Sequence, residues 1–520
     1  MNKIRSIRLI ILVILIILIP SFSLMLRSGI FTMHDFHVFR QQQFDKCLHL
    51  GYFPCRWAFD ATKGYGQPLF NFYGQLPYWI GEIPRLLGTQ IIDAAKLNFI
   101  FTLTASAVAM FFLARKFWGN TGGVVSAVFY TYAPYRAVDI WVRGALNEAY
   151  SFVWYPLILL FLDNYLEHKR KKDLFWLIIF STALLITHNL SMLMIAPFLA
   201  IWTLKKIKAI PGLVAAGLTI FLLSAFYLLP VVFESSQVTL TQTTQDYYSY
   251  QLHWTTLKQL FVSNFWGYGG STWGPNDTMS FSVGYLQWLV PLILVPFFIL
   301  RRNKFSNFYF LISIFGFLAV FLTHGKSEFI WKLIPPMSYI QFPWRFLTVS
   351  TFFLSLACGA VSLVVPRRFI PLLLLLLLLL NIGFFKPDIW RPITDKEQFS
   401  GALWDEQRSS AISDFWPKEA KIPKDFAPEA PLILYTTDQY QKVQFPTVYF
   451  PGWQLTVDGK KTEVFPDGPS RLITSRLPLF YTTFSLRFTN TPVRTIGNIA
   501  SLLTLFGLIY YYVSTKPKLG

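Results

Sequence analysis

The chain has 520 residues, of which 53% are hydrophobic and only 14% charged, with a net charge of +19. Together with a mean hydropathy of +0.43, this excludes an ordinary soluble protein, because too little charged surface remains to keep so much apolar area in water. A nucleic-acid footprint is also excluded, since the basic residues sit beside apolar runs and form no basic, aromatic-interleaved soluble segment.

Crossing a bilayer takes roughly 17–25 apolar residues, and shorter runs are tolerated inside a bundle. The runs that qualify as predicted spans number about twelve: 7–26, 97–114, 122–135, 149–166, 174–187, 190–204, 210–233, 283–300, 308–323, 346–365, 369–385 and 496–513. The first is long and lacks an Ala-x-Ala-like cleavage site, so it is expected to be a retained span rather than a secretory signal. The Leu run at 372–380 is the one low-complexity stretch and is expected to be a lipid-facing helix.

Lys and Arg near span ends concentrate on the cytoplasmic side. With connections alternating between faces, Lys3/Arg5/Arg8, Arg115-Lys116, Lys169-Arg170-Lys171-Lys172, Lys205-Lys206, Arg301-Arg302, Arg367-Arg368 and Lys516/Lys518 all fall on one side. This predicts cytoplasmic termini and an even number of crossings. The opposite, extracytoplasmic face then carries the connections 27–96, 234–282, 324–345 and 386–494; loops of that length are usually functional.

Residues 1–385 thus form a predicted transmembrane domain, and 386–494 an extracytoplasmic one that precedes a last span and tail at 495–520. Within 386–494, period-two runs occur at 432–435, 444–450, 454–457, 472–474 and 484–488. They are separated by Pro451-Gly452, Asp458-Gly459 and Pro466-Asp467-Gly468. This pattern predicts a small β-sandwich-like domain. Residues 387–428 lack periodicity and are expected to form short helices and loops. Of the three cysteines, Cys358 lies in a span as a packing residue, whereas Cys47 and Cys55 share the first external loop, either bridged by an oxidising compartment or free. No Cys/His grouping has zinc-like spacing.

Several polar residues are not explained by hydropathy. Asp35, Arg40, His34 and His37 follow the first span; Arg136 and Asp139 close the third, before Arg143-Gly144-Ala145-Leu146-Asn147-Glu148. Thr187-His188-Asn189 ends the fifth, and Gln341-Phe342-Pro343-Trp344-Arg345 precedes the tenth. All are expected at one membrane surface, and ionisable groups at such depth point into a bundle or an aqueous cavity, so a shared cavity is the economical expectation. Each also has a plainer explanation. Asp35 suits a helix N-cap, Arg40 an interfacial anchor, and Arg143 with Glu148 a pair that fixes the hairpin. His188 suits a satisfied buried histidine, and Arg345 beside Trp344 a snorkelling residue in an aromatic belt.

His34-Asp35, Leu50-Gly51-Tyr52-Phe53-Pro54-Cys55-Arg56-Trp57, Gly64-Tyr65-Gly66-Gln67-Pro68-Leu69-Phe70 and Phe72-Tyr73-Gly74-Gln75-Leu76-Pro77-Tyr78 resemble the first external loop of GT-C superfamily glycosyltransferases. More narrowly, the chain resembles the YfhO-like and "6-pyruvoyl-tetrahydropterin synthase-related" prokaryotic membrane proteins. Residues 143–148, 187–189 and 341–345 share that resemblance, as do Tyr449-Phe450-Pro451-Gly452-Trp453 and Val457-Asp458-Gly459-Lys460. The pterin chemistry of the name is not implied, because that enzyme is small, soluble and zinc-dependent and no suitable set of His ligands occurs here.

The resemblance implies an α-helical polytopic membrane protein that transfers a sugar from a polyprenyl-phosphate carrier to a glycan, lipid or protein acceptor at the extracytoplasmic face. Asp35 is then the catalytic base. His34, Arg40, Arg143, Glu148, His188 and Arg345 are candidates for binding substrate and its phosphate. Tyr65, Phe70, Tyr73 and Tyr78 are candidates for stacking on sugar or polyprenyl. The first loop lacks the Asp-x-Asp or Glu-x-Asp pair of many relatives, which leaves a divalent metal open. No nucleotide-binding Gly-rich loop is present, in keeping with a lipid-linked donor. A transporter or flippase, or a non-catalytic envelope-assembly protein, is the alternative class. The ionisable residues cluster near one surface rather than at mid-membrane, which favours the enzyme.

Overall fold

In a computed structural model of the chain, the described residues are 2–31, 36–267, 269–274, 276–302, 305–410 and 413–514. Every predicted span is helical over most of its length. Among the described residues, six stretches are long and apolar enough on their own to cross a bilayer: Ile7–Leu26, Ile91–Thr131, Asn189–Leu223, Pro343–Leu363, Arg367–Phe384 and Pro492–Ser514. Two of these hold more than one predicted span. Ile91–Thr131 breaks at Gly119, whose φ of 71° and ψ of −174° leave the helical region, so spans 97–114 and 122–135 are separate helices. Asn189–Leu223 is interrupted by a 3₁₀ turn in which Lys206 is non-helical.

Burial separates central helices from peripheral ones. Every residue of helix Leu347–Cys358 is buried, and it packs against helices Ile91–Thr131 and Ser306–Phe321. In helix Ile370–Asn381, by contrast, Leu372, Leu375, Leu376, Leu379 and Leu380 are exposed. A homopolymer of Leu offers no polar face to a bundle, and its outward side chains suit lipid.

The terminal segment begins with the short helices Asp395–Gln398 and Gly401–Ser410, as the absence of periodicity predicted. Strand β1 (Ile30–Phe31) pairs with β2 (Trp390–Arg391) and ties this segment to the start of the first loop. Further on, β3 (Leu432–Thr436), β4 (Tyr440–Val448), β5 (Trp453–Val457), β6 (Lys460–Thr462), β7 (Phe465–Asp467), β8 (Leu472–Pro478) and β9 (Phe484–Phe488) follow. They form two antiparallel sheets, ordered β3-β4-β8-β7 and β6-β5-β9. Asp458 and Gly459, both at positive φ, make the tight β5–β6 turn that the Asp-Gly pair predicts. The buried sides of both sheets join one hydrophobic core, which also takes in the first loop. There Trp57 lies 5.1 Å from Trp453 and 4.8 Å from Phe488 between ring centroids.

The first loop is held at three further points. Cys47 and Cys55 form a disulfide. His37 is a core histidine: its Nε2 accepts from the Leu146 backbone N–H, which leaves Nδ1 to donate to the Tyr78 hydroxyl at 2.8 Å. At the end of helix Ala225–Glu234, the Glu234 carboxylate accepts from Arg494 Nε, Asn71 Nδ2 and the Thr491 hydroxyl, while Arg56 donates to Asn71 and Asn498. This buried network joins the loop to the last helix.

Candidate functional site

One cavity of about 820 Å³ gathers side chains from the first loop, the ends of several helices and the terminal segment. That volume lies within the usual range for small-molecule sites. Arg40, Arg143, Glu148, His188 and Arg345 all border it.

Local backbone explains how these groups arrive. Residues 138–142 form a π-helical turn after the third span, an irregularity that frequently accompanies functional sites. It carries Asp139 to within 2.7 Å of Arg143 Nη1. Gly144, at φ 59°, then turns the chain into helix Leu146–His168, whose first turn carries Glu148. Arg143 Nη1 donates to Glu148 Oε2 at 2.9 Å, and its guanidinium lies 4.6 Å from the Trp344 ring centroid. Glu148 Oε1 accepts from the hydroxyls of Tyr135 and Thr348, each at 2.8 Å. Arg345 Nε stands 3.8 Å from Glu148 Oε2, and Arg345 Nη1 donates to the carbonyl of Ile340 and to Gln341 Oε1. One buried carboxylate therefore orients two guanidinium groups around the cavity.

His188 breaks the chain between helices Lys171–Thr187 and Asn189–Thr203, with its Nδ1 2.6 Å from Ser191 Oγ. Asn147 Nδ2 donates to the carbonyls of both Thr187 and Gly74, which joins that break to the first loop. Arg40, on helix His37–His49, donates to the Tyr73 hydroxyl at 2.9 Å and lies 4.3 Å from its ring centroid. Two bordering residues have non-glycine left-handed backbone, Phe36 at φ 52° and Gln341 at φ 65°. Each such residue costs of order 1–3 kcal/mol, and such strain clusters at functional sites.

Against the sequence expectations, Arg40, Arg143, Glu148, His188, Arg345 and Tyr73 come together. Arg143 and Glu148 do both things foreseen for them, pairing with each other and facing the cavity. His34 and Asp35 lie outside the described residues; the next residue, Phe36, borders the cavity. The N-cap position of helix His37–His49 is Phe36. The aromatic expectation needs a correction. Tyr65, Phe70 and Tyr78 are buried in the core shared with the β-sheets and do not border the cavity, because their apolar bulk is what joins loop to sheet. Arg136 is likewise structural, donating to the carbonyls of Ala149 and Thr102.

Several lining residues were not foreseen, among them Asp414, Phe415, Tyr247 and Tyr248. The Tyr doublet in the long connection 234–282 was a usable signal; Asp414 sits in an aperiodic stretch and gave none. Burial raises the Asp414 carboxyl above its ordinary value, with Arg40 opposing. Among the described residues, no three His, Cys, Asp or Glu side chains converge as a metal ligand set.

Residues 70–390 match the profile of the 6-pyruvoyl-tetrahydropterin synthase related domain, described as a membrane protein. No curated protein matches the chain. Among solved structures, the cryo-EM structure of arabinofuranosyltransferase AftD from Mycobacteria is similar at 13% identity and a TM-score of 0.48, covering 75% of this chain and 27% of that one. A mutant of the same enzyme gives 11% identity and a TM-score of 0.43, covering 75% and 29%. The chain thus spans little more than a quarter of the length of these structures. The family match covers well over half of the chain, and its multiple apolar helices agree with the family description: the protein is a multi-pass member of the 6-pyruvoyl-tetrahydropterin synthase related membrane-protein family.

Proposed function

We propose that this chain is a GT-C-type glycosyltransferase that moves a sugar from a polyprenyl-phosphate carrier to an envelope acceptor at the extracytoplasmic membrane face. The observation that carries this reading is the convergence of Arg40, Arg143, His188 and Arg345 on one cavity. They come from regions up to three hundred residues apart, and no two of the four are neighbours in the chain.

The chemistry follows from what each group can do. The acceptor hydroxyl is a poor nucleophile, so its proton passes to the Asp35 carboxylate as its oxygen bonds to the anomeric carbon. The bond from that carbon to the phosphate oxygen breaks, and its electron pair stays on the lipid phosphate. Arg143 and Arg345, held by Glu148, meet the developing negative charge in a water-poor site where fixed cations are most effective. His188 and Arg40 flank them. Attack opposite the leaving group inverts the anomeric centre. No step is routed through a metal ion.

Two further features support a lipid-borne donor used outside the cytoplasm. Val232 and Tyr339 border the cavity yet are 63% and 62% exposed, alongside Leu190 and Leu193, so part of its rim is apolar and suits an isoprenoid chain. The Cys47–Cys55 disulfide fits an oxidising compartment. On this topology both termini are cytoplasmic, about twelve helices cross, and 386–494 lies outside.

The test is incubation of purified protein with radiolabelled polyprenyl-phosphate sugars and membranes. Transfer of label to a membrane acceptor, lost in Asp35→Asn with an unchanged melting temperature, supports the reading. Label that crosses vesicles without being transferred, or transfer unaffected by Asp35→Asn, overturns it.

A further inference from the structure

A second concavity shares no lining residue with the cavity described above. It is a groove of about 500 Å³ between the first helix, Asn2–Phe22, and helix Ile370–Asn381, both of which pack on helix Ile91–Thr131. Helical spacing explains its walls. Ile10, Val13 and Ile17 recur at three- and four-residue intervals along one face of the first helix, and Ile370, Leu374 and Leu378 do the same on the other. Ile14 and Leu18 are instead fully buried against Ala107, Phe111 and Ala127 of helix Ile91–Thr131. The first helix therefore docks by one face and gives its neighbouring face to the groove.

The polar residues of the lining gather at one end. Asn120 and Thr121 follow the break at Gly119, and Arg367 precedes helix Ile370–Asn381. Ser362 Oγ donates to the Trp118 carbonyl, which sets the start of that helical half beside the turn leading to Arg367. The far end is marked by Tyr132, whose hydroxyl donates to the Ile17 carbonyl and whose own carbonyl accepts from Asn381 Nδ2. From Ile370 to Leu378 the apolar wall is about 12 Å long at 1.5 Å per residue. That fits within one leaflet, half of a hydrocarbon core of about 30 Å.

These features select an occupant. No Asp or Glu lines the groove, and among the described residues none pairs with Arg367, so the polar end suits an anion with several acceptor oxygens. A neutral lipid leaves Arg367 unmatched. A polyprenyl phosphate matches the charge, but its chain is several times longer than the wall. We propose that the groove holds one acyl chain of an anionic glycerophospholipid, with its phosphate against Arg367, Asn120 and Thr121, as a resident lipid that seats the first helix in the bundle. Arg367 and Arg368 stand on the Lys/Arg-rich face, so the lipid comes from the leaflet on that side. The site is independent of the transferase reading and stands if that reading fails.

The test uses the full chain, purified in mild detergent, stripped of lipid and titrated with dioleoylphosphatidylglycerol, dioleoylphosphatidylcholine or undecaprenyl phosphate, with bound lipid counted by native mass spectrometry. Wild type is expected to hold phosphatidylglycerol more tightly than phosphatidylcholine. Arg367→Gln should weaken phosphatidylglycerol about tenfold, the usual effect of losing a hydrogen bond to a charged group, and leave phosphatidylcholine unchanged. Lys171→Gln/Lys172→Gln, at another basic cluster, should change neither. Val13, 43% exposed, can carry a larger side chain, so Val13→Trp should obstruct both phospholipids. It still decides the matter if Arg367→Gln misfolds: phosphatidylglycerol binding unaffected by Val13→Trp overturns the proposal. Equal binding of the two phospholipids by wild type overturns it as well, as does a preference that survives Arg367→Gln or is lost with the Lys pair instead. Undecaprenyl phosphate displacing phosphatidylglycerol from wild type would assign the groove to the carrier lipid and overturn it too.

Discussion

Arg143 Nη1 and Glu148 Oε2 lie 2.9 Å apart across the Gly144 turn, with both side chains nearly removed from solvent. Four residues of chain lie between them, so the pair closes the hairpin between two helices and fixes a guanidinium on the cavity wall. Removing one partner of a buried pair strands the other charge, at a cost of about 3–5 kcal/mol. Glu148→Ala is expected to lose stability toward the lower end of that scale, because Arg143 and Arg345 both lose the Glu148 carboxylate while Arg143 keeps Asp139. Thermal denaturation in detergent measures it. A melting temperature equal to wild type would show the pair to be energetically idle.

Glu82 supplies a pH test away from the cavity. It lies on helix Leu76–Leu86. Burial, then the nearby Asp45 charge, pushes its carboxyl from 4.5 to about 7, against Gln41 and Arg85. The folded chain therefore holds this proton more tightly than the unfolded chain does. Its stabilising contribution is full below about 4.5 and is lost as pH rises through about 7. The melting temperature of wild type relative to Glu82→Gln should fall from about pH 5 to about pH 8, buffers roughly two pH units below and one above the folded-state value. A constant difference between the two proteins contradicts the assignment.

The Cys47–Cys55 bridge closes a loop of 8 residues, worth about 2.5 kcal/mol by loop-closure entropy. Of the three cysteines, only Cys358 is free, and it is buried. Maleimide labelling after non-reducing denaturation should modify one thiol per chain, rising to three after reduction. A Cys47→Ser/Cys55→Ser protein should melt at a lower temperature by an amount matching that energy.

Gly74 sits where the first loop touches the end of helix Lys171–Thr187. A Cβ there would meet the Thr187 carbonyl oxygen at 2.0 Å, and backbone cannot yield as a flexible side chain can. Gly74→Ala is expected to cost about 1–3 kcal/mol and to displace the Asn147 bridge. Gly217→Ala is the control: nothing lies within 4 Å of a Cβ at that helical position, so stability should hold or rise slightly. The melting temperatures of the two variants, side by side, decide the matter.

The helices, the outward face of the Leu run and the strand-rich end were legible from the amino-acid order alone. Each depends on a local repeat: apolar length for a span, alternation for a strand, Asp-Gly for a turn. The grouping of Arg40, Arg143, Glu148, His188 and Arg345 was also foreseeable in outline, since charged groups beside apolar runs have few places to go. What tertiary contact alone decided was which aromatics line the cavity and which carboxylate joins them. Tyr65, Phe70 and Tyr78 resemble Tyr73 in composition and spacing, yet they fill the core between loop and sheets. Asp414 carries no local pattern and reaches the cavity because the terminal segment folds back against the first loop. Periodicity reports how one element meets its surroundings; it carries no information on which distant element supplies them, and that pairing is set by packing across hundreds of residues.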